Sequence, residues 1–311
     1  YDTFRAAAEH ALRRTNIPEA PWHVVEGTHG RYRALTTTDT LRKALEERLQ
    51  KSGAAESAAP EKPPLPEPEP VNVINQLDLS RTLDDDAYRK ELAKYQGRLS
   101  LLSRQLQEQQ RSLTVVLEGP DAAGKGGAIR RMTAAMDARH YRVITVSAPT
   151  QEEHAQHYLW RFWRNVPRRG RITIYDRSWY GRVLVERLEG YAKPDAWQRA
   201  YGEINAFEEQ LVESGTVLLK FWLAISAEEQ LKRFKAREQT SYKQYKITED
   251  DWRNREKGPA YEAAACDMIE QTSTEFAPWT LVEGDHKRWA RIKVLRTTCE
   301  RLESALRGGG T

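Results

Sequence analysis

Apolar residues gather along the chain into five short runs, near 113–118, 141–147, 171–176, 216–224 and 279–283. Continuous runs of this length, rich in β-branched residues and bounded by turn formers, predict buried strands. Between them the apolar positions fall three to four residues apart, which predicts helices over 125–138, 151–164, 195–213, 227–238 and 287–306. Strands alternating with helices in this order predict an α/β fold, a doubly wound parallel five-stranded sheet, with ligands bound beyond the carboxyl ends of the strands. Trp163, Trp197, Trp222 and Trp279 are read as packing residues. Residues 239–258 fit neither period and are polar, basic and aromatic, as expected of a helical lid that closes over a site.

Residues 51–70 hold six prolines, many alanines and no aromatic residue. Such a stretch buries too little to fold and is read as a linker stiffened by proline. It separates residues 1–50 from 71–311, and the first part repeats the end of the second. Residues 20–31 align without a gap on 277–288, with eight of twelve positions identical. At the same offset Ala6–Ala8 match Ala263–Ala265, Thr15 matches Thr272, and Leu45 and Leu49 match Leu302 and Leu306. The repeat predicts a duplicated domain, of which residues 1–50 are the closing helix, strand and helix. With no phosphate loop ahead of them and Tyr1 as first residue, the chain is expected to be the C-terminal piece of a longer tandem protein whose first domain is missing.

Composition narrows the class. Two cysteines, Cys266 and Cys299, make no disulfide framework, and the longest apolar run, 216–225, is too short to cross a bilayer and contains Lys220. A cytoplasmic protein with no membrane partner is expected; self-association is left open. Net charge is only +4, yet residues 160–172 carry five arginines and no acid. Lys232, Arg233, Lys235, Arg237, Lys243 and Lys246 form a second basic cluster. This density implies a polyanionic partner. Nucleic acid is the rival reading, because basic residues interleaved with Trp and Tyr also suit single strands. The Gly-rich loop at 119–127 with Asp121 and Asp176 favours a phosphate chain instead, and no nucleic-acid partner is expected.

The candidate chemistry follows the first strand. Gly119-Pro-Asp-Ala-Ala-Gly-Lys125-Gly-Gly127 is a Gly-rich turn leading into a helix, the layout of a phosphate cradle. Backbone groups of Gly119, Ala122, Ala123, Gly124, Gly126 and Gly127 would face phosphate, and Lys125 would add a mobile charge. The residue after that lysine is usually Ser or Thr for Mg²⁺, but here it is Gly126, which makes Asp121 the substitute ligand. Asp176 ends the strand 171–176 in the position of a Walker B acid and is the second candidate metal ligand. Arg177 and Arg182 would clamp transition-state charge. Arg233, Arg237, Lys243 and Lys246 would reach the nucleotide or phosphate chain from the lid. No Ser/His/Asp or Cys/His constellation is needed for phosphoryl transfer, in which an ionised phosphate oxygen attacks.

These residues resemble the polyphosphate kinase 2 family of P-loop kinases. The likeness is carried by the 119–127 loop with its Asp121 and Gly126, Tyr158–Arg161 with Pro167 and Gly170, and Tyr175–Tyr180. It continues in Lys232–Arg237, Tyr242–Lys246 and Ala277–Gly284, and spans roughly residues 80–306. Pro120 departs from the pattern, since many members place a phosphate-reaching side chain there. The resemblance implies a thymidylate-kinase-like fold and Mg²⁺ held by Asp121 and Asp176, with Mn²⁺ as a substitute. It implies Arg161 among the phosphate-binding groups, and inorganic polyphosphate and a purine nucleotide as partners. The tandem arrangement resembles the branch that phosphorylates AMP to ADP, with ADP or GDP to the triphosphate, or the reverse, as the alternative. Two other classes stay open, an ATP-dependent nucleotide kinase and a non-catalytic polyanion-binding module. The missing loop hydroxyl weighs against the first, and the retained Lys125, Asp121 and Asp176 weigh against the second.

Overall fold

The computed structural model describes residues 1–53, 65–241 and 249–307, so Lys243 and Lys246 lie outside the described residues. The chain divides into two compact units, Tyr1–Lys62 and Pro63–Thr311. In the first, helix α1 (Asp2–Thr15) and helix α2 (Gly30–Gly53) flank a stretch at 21–29 without regular structure, so the strand predicted between them is not formed: no strand among the described residues of this unit is there to pair with it. None of residues 1–50 is buried, and Phe4, Trp22, Val24 and Leu35 are exposed.

The second unit opens with helix α3 (Asp85–Glu108), capped by the Asp84 side chain accepting from the Ala87 N–H, and enters strand β1 (Ser112–Glu118). Helix α4 (Lys125–Thr133), strand β2 (Tyr141–Thr145), the short helices α5 (Gln151–His154) and α6 (Trp160–Trp163), and strand β3 (Ile172–Asp176) follow. After a 3₁₀ turn at Trp179–Arg182 come α7 (Val185–Leu188), α8 (Pro194–Glu213), β4 (Thr216–Ala224), α9 (Ala227–Glu238) and α10 (Glu249–Glu256). The unit closes with α11 (Gly258–Thr272), β5 (Trp279–Glu283) and α12 (Lys287–Arg307). Shifted by the repeat offset, α1 and α2 fall on α11 and α12.

All five strands are parallel, in the order β2-β3-β1-β4-β5. Strand β1 is central and buried throughout, which is why its sequence is almost continuously apolar. Leu113, Val115 and Leu117 pack with α3 residues Leu99, Leu102 and Leu106 and with Leu295 and Leu302 of α12. The alternate residue Val116 packs on the other face with Ile204 and Phe207 of α8 and Ala264 and Met268 of α11. The doubly wound α/β sheet predicted from periodicity is therefore present. Trp222 and Trp279 are core residues as predicted, whereas Trp163 is 44% exposed and meets Phe207 only edge-on. Cys266 and Cys299 are buried thiols.

Several boundaries differ. The predicted helix 151–164 is two single turns, because only Leu159 and Phe162 of that stretch are buried, too few to hold a continuous helix on the sheet. Helix α4 ends at Thr133 rather than 138, and α2 carries helix into the predicted linker as far as Gly53. At the linker's other end, Asn72 is buried and its Nδ2 donates to Glu262 Oε1 at 2.8 Å. No helix among the described residues is long and apolar enough to cross a membrane.

Candidate active site

The turn after β1 is shaped by backbone constraints. Gly119 has φ +140°, and a Cβ placed there would stand 2.4 Å from the carbonyl oxygen of Leu223 on neighbouring β4. Gly124 has φ +119° and caps α4, while Ala122 takes the left-handed region at φ +64°. Gly126 is different: its nearest neighbour, Asp176 Oδ2, would be 3.9 Å from an added Cβ. Gly119→Ala is therefore expected to lower both melting temperature and turnover, while Gly126→Ala leaves melting unchanged. Thermal denaturation of the two variants checks this; equal melting temperatures would show that the loop yields at Gly119.

Lys125, 8% exposed, folds back on this turn and donates from Nζ to the Gly119 carbonyl at 2.6 Å and that of Pro120 at 3.1 Å. Burial pushes its amine below the usual lysine value, against the opposing pull of Asp121, Asp176 and Glu118. Asp121 Oδ1 pairs with Arg177 Nη2 at 2.5 Å and Oδ2 accepts from Asn254 Nδ2 at 3.0 Å. Burial would raise the Asp121 carboxyl, but the charges of Lys125 and Arg177 and these bonds outweigh it and hold the group below the usual carboxylate range. Glu118, at the end of β1, is pushed up by burial despite the bond from Ser178 Oγ at 2.8 Å. That bond ties the β1 end to the segment after β3, where Arg177 sits at φ +64°.

Asp121, Lys125, Asp176 and Arg177 share a cavity of about 610 Å³ with the loop backbone from Ala122 to Gly127 and with Arg237. Parallel register brings them together, since Leu117 of β1 faces Asp176 of β3. A second cavity of about 520 Å³, lined by Trp222, Trp252 and Tyr261, also reaches Asp121 and Arg177.

Other predicted groups lie elsewhere. Arg182 pairs with Glu186 at 3.1 Å and covers the Tyr158 ring at 4.4 Å, outside the loop cavity. Arg161 donates to the Ser147 carbonyl at 3.1 Å and pairs with Glu153 at 3.4 Å. Arg233 is 4% exposed, so its expected place in the lid is corrected. It donates to the Ala122, Ala123, Gly284 and Asp285 carbonyls at 2.8–3.0 Å and to Glu229, and so braces the loop from behind. Sequence reasoning missed Asn254, Glu118, Ser178 and the cavity arginines Arg130, Arg131 and Arg291. Of these, Arg130 and Arg131 had a signal, one helical turn beyond Gly126 and Gly127.

The polyphosphate kinase 2 family model matches residues 1–53 and 82–307. A polyphosphate:AMP phosphotransferase of Pseudomonas aeruginosa is 53% identical over 305 residues, covering 98% of this chain and 62% of its own length. An ADP-polyphosphate phosphotransferase of Rhizobium meliloti is 37% identical over 218 residues, covering 70% of this chain and 77% of its own. A crystal structure from Pseudomonas aeruginosa PA01 assigned to polyphosphate kinase 2 superposes with a TM-score of 0.87 at 53% identity. It covers 99% of this chain and 64% of that one. The chain thus spans about three-fifths of the length of these Pseudomonas relatives.

Proposed function

We propose that the chain, which belongs to the polyphosphate kinase 2 family, transfers the terminal phosphoryl group of inorganic polyphosphate to a nucleotide, with AMP as acceptor and ADP as product. The observation that carries this reading is the single cavity in which Lys125, Asp121 and Asp176 meet around a loop without a hydroxyl. The adjoining cavity with Trp222, Trp252 and Tyr261 suits a nucleoside beside a phosphate chain. Nucleoside diphosphate is the alternative acceptor, supported by the likeness to the Rhizobium enzyme.

The residues fit Mg²⁺. Asp176 Oδ2 faces the space above Gly126 that a Ser or Thr side chain would enter, and Asp121 lies across the same cavity. One or two carboxylates together with substrate phosphate oxygens are the donor set this ion prefers. Asp121 and Asp176 would hold it, and Mn²⁺ would substitute; when bound, it neutralises charge on the transferred phosphoryl group.

The chain's own residues position and neutralise. Lys125 exchanges its loop carbonyls for phosphate oxygens, and Arg177, now paired with Asp121, turns its guanidinium to charge that develops in the transition state. The loop N–H groups at the start of α4 orient the donor. Arg237 lines the same cavity and binds the phosphate chain, and α10, whose Asp251 also lines it, shuts out water. The nucleotide substrate and the buried thiols fit a cytoplasmic setting. Helices α1 and α2, at the spacing of α11 and α12, support a duplicated domain.

Incubation with Mg²⁺, polyphosphate and, separately, AMP, GMP, ADP and GDP, followed by nucleotide chromatography, tests the reading. The expected result is ADP from AMP without added ATP. Product formed only with ATP as donor would overturn it.

A further inference from the structure

The arginine-rich tract from Trp160 to Ile172 does not serve the phosphate loop. None of its five arginines lines the loop cavity. Arg164, Arg168 and Arg171 instead meet Arg139, Arg142 and His140 around a separate hollow of about 440 Å³. It lies at the amino ends of β2 and β3, whereas Asp176 and the loop lie at the carboxyl ends. The run from Ile172 to Asp176 covers about 13 Å at strand rise.

The hollow is under-neutralised. None of its lining residues is acidic. Arg139 is held by Asp137 at 2.6 Å, and Arg164 reaches Glu152 only at 3.8 Å. Arg142 donates to the Asn165 carbonyl at 2.6 Å, and Arg171 to that of Arg139 while lying 2.9 Å from His140 Nδ1. Backbone carbonyls satisfy donors but leave the charge in place. Arg168 is exposed. Gathering this many cations in one concave surface creates a local potential that attracts an anion.

Edge strand β2 links the two cavities. Thr145 and Val146 at its carboxyl end line the loop cavity, Tyr141 and Arg142 at its amino end line the hollow, and Arg142, Val143 and Thr145 are exposed along the way. We infer that the hollow is a binding site for the trailing part of a long polyphosphate chain, whose reacting end occupies the loop cavity and whose body follows β2. This rests on the polyphosphate reading of the loop cavity. A bare phosphate chain fits better than a nucleic acid strand, because the hollow offers only two aromatic rings, Tyr141 and His140, the latter engaged by Arg171, rather than a series of stacking platforms.

The test compares long-chain polyphosphate with tripolyphosphate, which is too short to span both cavities, in Arg164→Ala and Arg168→Ala. Each substitution is expected to raise the KM for long chains about two- to fivefold, the size of an exposed charge contact, and to leave kcat and the tripolyphosphate KM unchanged. Equal effects on both donors, or none on either, would overturn the site. Direct binding, read by calorimetry in a Lys125→Ala background, needs no turnover. Long-chain binding that persists there and is lost on adding Arg168→Ala supports the hollow even if the wild type fails to use polyphosphate as donor. Single-stranded DNA of equal charge that binds as tightly, and depends as strongly on Arg168, would overturn the assignment to polyphosphate.

Discussion

Asp121→Asn is expected to lower turnover by about 10²-fold or more, as much as Asp176→Asn, at saturating polyphosphate and AMP. In most phosphate loops a hydroxyl follows the lysine and shares the metal; here Gly126 offers none, so under the proposed function that work would fall to the two carboxylates that line one cavity. The Asn side chain keeps the shape and the capacity to accept from Asn254, so the loop should stay folded while the charge opposite Arg177 and Lys125 disappears. The loss should appear in metal affinity as well as rate. Mn²⁺ binding in the presence of tripolyphosphate, followed by electron paramagnetic resonance, should weaken in both variants. Near-wild-type turnover and Mn²⁺ affinity in Asp121→Asn would reduce Asp121 to a turn former that holds Arg177.

The positions of the loop and of Asp176 could be read because they depend on local sequence. A glycine with φ +140° pressed against Leu223, a lysine at the first position of α4, and an acid at the end of β3 each leave a mark within a few residues. The sheet could be read for the same reason, since strands buried on both faces are continuously apolar. Helix α3 was not predicted, although Asp84 caps it and Tyr95, Leu99, Leu102 and Leu106 mark its buried stripe. That stripe is narrow and lies in a stretch dense in charge, which masks its helical period. Arg233 and Asn254 were not legible at all. Arg233 looks like any arginine of a basic helix until the fold puts four backbone carbonyls around it, and Asn254 meets Asp121 only across a separation of 133 residues. Arg182 and Arg161 show the converse: local charge density does not say which arginines reach the loop cavity, since Arg182 is turned to Glu186 and Arg161 to Glu153 and the Ser147 carbonyl.

The same long-range logic governs a buried ion pair that no local pattern announces. Lys220 of β4 and Glu208 of α8 meet at 2.7 Å with both side chains fully buried. Lys220 Nζ also donates to Tyr180 Oη at 3.0 Å and to the Thr272 carbonyl at 2.6 Å, while Glu208 Oε1 accepts from Tyr180 Oη at 2.6 Å and Trp179 Nε1 at 3.0 Å. The network therefore anchors the turn that follows Asp176 and Arg177. Lys220→Met leaves Glu208 buried without a counter-charge and is expected to cost about 3–5 kcal/mol, on the order of 10 °C in melting temperature. Glu208→Leu added to it should restore part of the loss, because no uncompensated charge then remains. The pH dependence has a definite sign. Burial raises the Glu208 carboxyl above its unfolded value near 4.5, against Lys220, and removing Lys220 raises it further. A carboxyl shifted upward on folding stabilises the fold below its unfolded pKa, and that contribution is lost as pH rises through the folded pKa. The deficit of Lys220→Met relative to wild type is thus expected to be largest at neutral pH and to shrink as pH falls toward 4.5. Denaturant melts of both proteins across that range provide the check. A deficit that is constant with pH would show that the lysine contributes by packing alone, and one below about 1 kcal/mol would show that water reaches Glu208 once Lys220 is gone.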